Sequence, residues 1–296
     1  MYETCNICPR NCQVNRFSGQ TGFCGMPASF QVARASLHMW EEPCISGTNG
    51  SGTVFFTGCN LKCVFCQNHT IAIQKKGREL SVEQLSDLFL TLQDKGAHNI
   101  NLVTPSHYIP GIAQALTLAK NRGLNIPIVY NTGGYDSVEA LSMLEGLVDV
   151  YLPDFKYVSS ILSERYSHAS DYFEIAKASL AEMFRQVGAP VFQGDMLVKG
   201  VVVRHLLLPG FVEDSKAVIK YLYQTYGNNI FLSIMNQYTP LPHVADFPEI
   251  NRKVTPEEYD ELVDYAIHLG VENGFIQEGD TAEESFIPDF DFTGLV

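Results

Sequence analysis

All eight cysteines of this chain lie in its first quarter: Cys5, Cys8, Cys12, Cys24, Cys44, Cys59, Cys63 and Cys66. A disulfide framework in a chain of 296 residues would be spread more widely. Thiols with gaps of two and three residues read instead as metal ligands. They fall into two sets. Cys5-x2-Cys8-x3-Cys12-x11-Cys24 is a complete set of four. Cys59-Asn60-Leu61-Lys62-Cys63-Val64-Phe65-Cys66 is a tighter set of three. Cys44 is left over, either a small buried hydrophobe or an extra ligand.

Around these thiols the sequence divides in three. Residues 1–52 are rich in Cys and Gly and show little helical periodicity, so they read as a small metal-held unit with a strand or hairpin at 30–40. From residue 53 apolar strands alternate with amphipathic helices to about residue 240. The strands are expected near 53–57, 100–103, 126–130, 148–152, 197–208 and 229–235, with a last one at 274–277. Ser81 with Gln84 reads as a capping box, and Thr255-Pro256 with Glu258 starts a helix that ends at Gly270. Residues 241–296 then close the fold. Strand-then-helix repetition implies a parallel sheet. The count is short of an eight-fold barrel, so the fold class is α/β, a partial (β/α)6-type barrel. A doubly wound sheet is the alternative, and its glycine fingerprint is missing from the first strand–helix turn.

Composition excludes several functions. Hydrophobic residues make up 46% and charged residues 18%, enough apolar content for a sizeable core. A net charge of −13 disfavours non-specific nucleic-acid binding and anionic membranes. No apolar run is long enough to span a bilayer and no signal peptide is read at the N-terminus, so a cytoplasmic location is expected.

The three-cysteine set follows directly on the first strand of the alternation, where strand–helix folds gather reactive groups. Three thiolates can hold three corners of a four-iron cube, leaving one iron open to a ligand. A structural zinc site of Cys59, Cys63 and Cys66 with Cys44 or His69 is the rival reading. Three cysteines in this spacing, with Phe65 before the last, resemble the radical S-adenosylmethionine (SAM) superfamily signature. The run Gly52–Cys59, continuing through Cys66-Gln67-Asn68, is similar to the pyruvate formate-lyase activating enzyme-like group, and within it to the PflX-type branch. The 5–12 opening, Glu41-Glu42-Pro43-Cys44 and the tail Phe286-Ile287-Pro288-Asp289-Phe290 resemble the same branch.

The resemblance implies a [4Fe-4S] cluster on Cys59, Cys63 and Cys66, with SAM on the open iron and a flavodoxin or ferredoxin as electron donor. It also implies places for SAM contacts at the strand ends. Superfamily members commonly carry a Gly-Gly-Glu motif after the second strand. Here that position reads Val103-Thr104-Pro105-Ser106-His107, without the glycine pair, which leaves Thr104 and Ser106 as candidates or an ordinary turn. Asn131 ends the third strand as a possible ribose or carboxylate contact, with Gly133 and Gly134 as turn residues. Asp154 and Lys156, spaced to share a strand face, match a pair that recurs near SAM in the activase group; a rim salt bridge is the plain alternative. Asn68 and His205 are the remaining SAM candidates by resemblance, against a loop cap and a core histidine respectively.

The N-terminal four-cysteine set can close a zinc site or hold an auxiliary iron–sulfur cluster, and the spacing leaves both open. Three activities follow as hypotheses. They are a radical SAM enzyme acting on a protein or peptide, one acting on a small metabolite, and a non-enzymatic zinc or redox scaffold. The scaffold explains the vacant fourth ligand of Cys59–Cys66 worst.

Overall fold

The computed structural model describes residues 1–74, 76–277 and 288–295. Phe286 and Ile287 of the tail motif lie outside the described residues. In chain order the strands are β1 (Phe30–His38), β2 (Ser51–Phe56), β3 (Arg78–Leu80), β4 (Ile100–Val103), β5 (Ile128–Thr132), β6 (Val150–Pro153), β7 (Val191–Gln193), β8 (Met196–Leu206), β9 (Phe231–Met235) and β10 (Gly274–Ile276). The α-helices are α1 (Pro43–Ser46), α2 (His69–Ala72), α3 (Val82–Asp94), α4 (Ile109–Asn121), α5 (Val138–Ser142), α6 (Ser160–Ser167), α7 (Tyr172–Val187), α8 (Val212–Tyr226) and α9 (Pro256–Leu269).

These strands form one sheet in the order β10-β9-β8-β6-β5-β4-β2-β1-β3, with β7 beside β8. From β2 through β10 every neighbouring pair on that path is parallel. No ladder joins β10 to β3 among the described residues, so the sheet is open, the partial barrel expected from the alternation. The strand read at residues 30–40 is β1, and it pairs antiparallel with both β2 and β3. Residues 1–52 therefore contribute a strand to the same sheet as the alternating part.

Local chemistry sets the helix ends. The Ser81 hydroxyl accepts from the Gln84 N–H while the Gln84 side chain accepts from the Ser81 N–H, a complete capping box on α3. Leu85, Leu88, Phe89 and Leu92 then bury one stripe of that helix. Thr255 and Glu258 cap α9 in the same way, and Gly270 ends it in the left-handed conformation.

The pleat alternation divides the core into layers. Val54, Phe56, Leu102, Tyr130, Tyr151, Val201 and Val203 belong to the large cluster that the helices cover. On the opposite face Val129, Val150, Leu152 and Val202 pack around Cys44 and Ile45 of α1, which plug that side of the sheet. Cys44 is thus a small buried hydrophobe. Phe55 and Val103 continue this inner face with Ala33 and Ile71, and Phe290 of the C-terminal segment packs edge-on to Phe55 with ring centroids 5.5 Å apart. That segment is tied to β1 by Ala35 N–H to Thr293 O and Phe292 N–H to Ala33 O.

Candidate active site at the strand ends

Cys59, Cys63 and Cys66 sit in the loop between β2 and α2, at the carboxyl end of the first parallel strand. The loop turns sharply because Gly58 (φ 85°) and Lys62 (φ 55°) adopt left-handed backbone. A side chain at Gly58 would come within 2.3 Å of Met26 Cγ, so only glycine lets the loop lie against the N-terminal unit. Backbone N–H groups point at the sulfurs: Leu61 N–H donates to Cys59 Sγ at 3.3 Å, and the Asn68 N–H faces Cys66. Ser167 Oγ donates to Cys63 Sγ at 3.0 Å and is itself bonded to Tyr157 Oη at 2.9 Å. Burial pushes the Cys63 thiol up, with Lys156 opposing. Cys66 is raised by burial and by its proximity to Cys59 and Cys63. Buried thiols ringed by N–H and O–H donors match what bound thiolates need.

Across from this loop the ends of β5, β6 and β8 converge. β6 stops at Pro153, so Asp154 and Lys156 lie just beyond the strand, Asp154 in a lone parallel bridge with Arg204. Their side chains pair at 2.5 Å, with Lys156 mostly buried. Burial alone would lower the Lys156 pKa; Asp154 and Cys63 outweigh it and hold the ammonium charged. Its Nζ lies 5.9 Å from the centre of the Phe65 ring, inside the cysteine loop. The rim here depends on Gly134 (φ 79°), where any Cβ would stand 2.2 Å from Asp154 O.

His205 is buried, with Nδ1 2.7 Å from Phe155 O. A carbonyl only accepts, so Nδ1 carries the proton and Nε2 presents a lone pair. That Nε2 has no partner. Burial lowers the His205 pKa to about 4, which keeps the ring neutral. A buried acceptor without a donor beside a charged Lys156–Asp154 pair is what a polar ligand would complete.

The other sequence candidates are placed differently. Asn131 is half-buried on the inner face of β5, and Thr104 follows β4 with φ 59° and its N–H on Asn131 O at 2.9 Å. Ser106 is turned away: its Oγ lies 3.1 Å from Thr132 Oγ1, in a buried group where Asp136 accepts from Tyr130 Oη and Thr132 Oγ1. Asn68 is the residue before α2 and makes no side-chain cap. Arg204 points to the opposite face from His205 and forms a buried ion cluster with Glu41 and Glu42. Ser167, Tyr157 and Asp136 gave no sequence signal, since a lone Ser, Tyr or Asp carries no spacing.

The four N-terminal thiols occupy residues 5–24, next to the triad loop and not on a strand end. Among the described residues no group of three or more His, Cys, Asp or Glu side chains is gathered as around a single metal ion. A four-iron cube holds its thiolates further apart than one ion does.

The family model described as "Radical SAM superfamily" matches residues 53–222. Two uncharacterized proteins of Methanocaldococcus jannaschii are similar to this chain. MJ0674 is 30% identical over 90% of this chain and 75% of its own length. MJ0808 is 23% identical over 91% and 78%. Among solved structures, Streptococcus suis SuiB bound to its precursor peptide SuiA superposes with TM-score 0.51 and 14% identity, over 75% of this chain and 46% of SuiB. Methylornithine synthase superposes with TM-score 0.50 and 12% identity, over 78% of this chain and 74% of its own. The chain thus spans about half the length of SuiB. At these identities the structural likeness shows the fold.

Proposed function

This chain belongs to the radical SAM superfamily, whose cofactors are a [4Fe-4S] cluster and SAM, and from that premise we propose that it is an activase-like enzyme taking hydrogen from a protein or peptide. When bound, cluster and SAM supply a one-electron cleavage of SAM to methionine and a 5′-deoxyadenosyl radical.

The observation that carries the reading is the convergence of Cys59, Cys63 and Cys66 with the Lys156–Asp154 pair and the unpartnered His205 Nε2 at one set of strand ends. In this reading the three thiols hold the cluster. Lys156 meets the methionyl carboxylate and Asp154 the amine, and His205 Nε2 accepts from a hydroxyl on the adenosine side. Asn131, Thr104 and Asn68 line the same rim. Ser106 acts indirectly, by holding Thr132 and Asp136 beneath it. The plug at α1 and the aromatic contact of Phe290 with Phe55 keep water from the inner face.

A polypeptide substrate is favoured by the peptide that SuiB, a protein of the same fold, binds. A cytoplasmic setting with flavodoxin or ferredoxin as donor goes with this chemistry. No helix among the described residues is long and apolar enough to cross a membrane. The N-terminal thiols stand outside the SAM chemistry, because a set in which all four ligate leaves no open position.

Anaerobic reconstitution with iron and sulfide, followed by SAM and dithionite, tests the reaction through 5′-deoxyadenosine. Product from the wild type and none from a Cys59/Cys63/Cys66→Ala variant supports it. Equal product from both, or none from a wild type that binds zinc, rejects it.

A further inference from the structure

Residues 1–29 contain no α-helix and no strand, only a single 3-10 turn at Arg16–Ser18. They are nonetheless held in shape. Cys5 N–H bonds Val14 O and Gln13 N–H bonds Cys5 O, both at 2.9 Å, and Asn11 and Gln13 take left-handed backbone to bring the chain round. The result buries Cys5, Cys8 and Cys24 and half-buries Cys12. Donors are aimed at the sulfurs here as in the triad loop. Phe23 N–H donates to Cys12 Sγ at 3.3 Å, while the Arg10 and Met26 N–H groups face Cys8 and Cys24.

The charges beside these thiols are the second observation. Arg16 is 1% exposed, and its guanidinium donates only to the carbonyls of Met26, Pro27 and His107, at 3.1, 2.6 and 2.6 Å. Arg10 donates to carbonyls alone, those of Asn60, Ser167 and His168. Among the described residues neither arginine has an ion-pair partner within 4.0 Å. A buried guanidinium without a counter-charge is costly. Four thiolates around a dication, or around a four-iron cube, carry a net formal charge of about −2 and supply that counter-charge.

The third observation is where Arg10 reaches. It lies between Cys8 and Cys12 in sequence and bonds into the triad loop at Asn60 O, 2.7 Å away. It also bonds Ser167 O at 3.2 Å, and the Ser167 hydroxyl donates to Cys63 Sγ. Its guanidinium stacks 4.0 Å from the centre of the Phe23 ring, the residue before Cys24, and Lys62, the residue before Cys63, stands 4.7 Å from the centre of the same ring. The intervening residues of one cysteine set therefore touch those of the other.

We propose that Cys5, Cys8, Cys12 and Cys24 bind a second, closed, thiolate-ligated metal centre counter-charged by the buried Arg16, and that Arg10 makes this centre a brace for the triad loop. A zinc ion and a four-iron cluster share this ligand chemistry; the thiols are not gathered as around a single ion, which favours the larger cluster, and the test separates the two. The brace rests on the radical SAM reading of the triad; the metal site does not. Arg10 is a positioning residue, acting through Asn60 and Ser167.

The site is tested in the Cys59/Cys63/Cys66→Ala background, where any tightly held metal belongs to the N-terminal set. After anaerobic purification and reconstitution, elemental analysis is expected to find about one zinc or about four irons per chain. Adding Cys8→Ser and Cys24→Ser is expected to remove it. Metal-free protein in the triad-Ala background, or metal unchanged by the added substitutions, overturns the site. The brace is tested in the full chain by Arg10→Met, with retention of the N-terminal metal confirming that the variant folds. Release of triad iron to a chelator is expected to quicken by roughly tenfold, the lower end of what outer contacts to metal ligands contribute, with a changed electron paramagnetic resonance (EPR) line shape of the reduced cluster. Release and line shape equal to wild type, or loss of the N-terminal metal itself, overturns the brace.

Discussion

The two cysteine sets present the same thiols in opposite settings. The triad loop leaves the carboxyl end of β2 and faces Lys156, Asp154 and the free lone pair of His205, groups set by strands β6 and β8. The N-terminal set lies on no strand, although Cys5 and Cys24 pack into the core cluster that Phe30 and Phe56 of the sheet share; backbone bonds, two carbonyl-bound arginines and the Phe23 stack hold it. Three ligands beside charged, partly unpaired groups leave room for a reactant. Four thiols wrapped in backbone, if all ligate as proposed, leave none. The lesson is that the number of thiols and the element that carries them, more than the thiols themselves, separate a site for chemistry from a site for support.

The sharpest way to break this comparison is to remove a ligand from each side. Cys63→Ala is expected to abolish 5′-deoxyadenosine formation, whereas Cys8→Ser is expected to leave some, and chromatographic product assays read both. Complete loss in each would make the sets equivalent.

The seam between the regions is expected to weaken in acid through His107. His107 is buried, is bonded through Nε2 to Thr57 O at 2.8 Å, and has its pKa lowered to about 3 by burial and by Arg16. A folded-state pKa below the unfolded value near 6.5 means that the unfolded chain binds the proton first. The resulting stability is complete above pH 6.5 and is lost as pH falls toward 3, by up to ~4 kcal/mol. Urea titrations across that range should show His107→Gln with a flatter pH dependence; an unchanged slope would show that another group governs it.

Next in size is the SAM rim. Lys156→Met removes the cation proposed for the methionyl carboxylate and leaves Asp154 unpaired. SAM affinity, measured by equilibrium dialysis on the reconstituted protein, is expected to fall roughly tenfold to a hundredfold, about 1.4–2.8 kcal/mol. The N-terminal metal content should not move. The smallest effect is at Ser167. Losing the Oγ–H bond to Cys63 Sγ in Ser167→Ala removes stabilisation of the more negative, reduced cluster. Its midpoint potential should drop by roughly 40 mV, equivalent to ~1 kcal/mol for one electron, in a dye titration.

Much of this was legible because it is periodic or spaced. The parallel strands showed as apolar runs, and α3 and α9 showed through their capping boxes and apolar stripes. The triad showed through its spacing, and the Asp154–Lys156 pair through the resemblance to the activase group at a strand end. α6 did not, because Ser160–Ser167 is short and mostly polar, and with it went Ser167. Ser106 was readable as a strand-end hydroxyl, but its direction depends on Asp136, which no local pattern marks. Arg10 and Arg16 act across long sequence separations, 157 residues for Arg10 to Ser167, and such contacts exist only once the sheet has closed the distance.

The central claim is that the open site is at Cys59, Cys63 and Cys66 and the closed one at the N-terminus. EPR of the reduced, reconstituted protein with and without SAM tests it most directly. The wild type should show a four-iron signal that SAM alters, and the Cys5/Cys8/Cys12/Cys24→Ala protein should retain that response. The Cys59/Cys63/Cys66→Ala protein should show none. A SAM-altered signal in the triad-free protein would contradict the account.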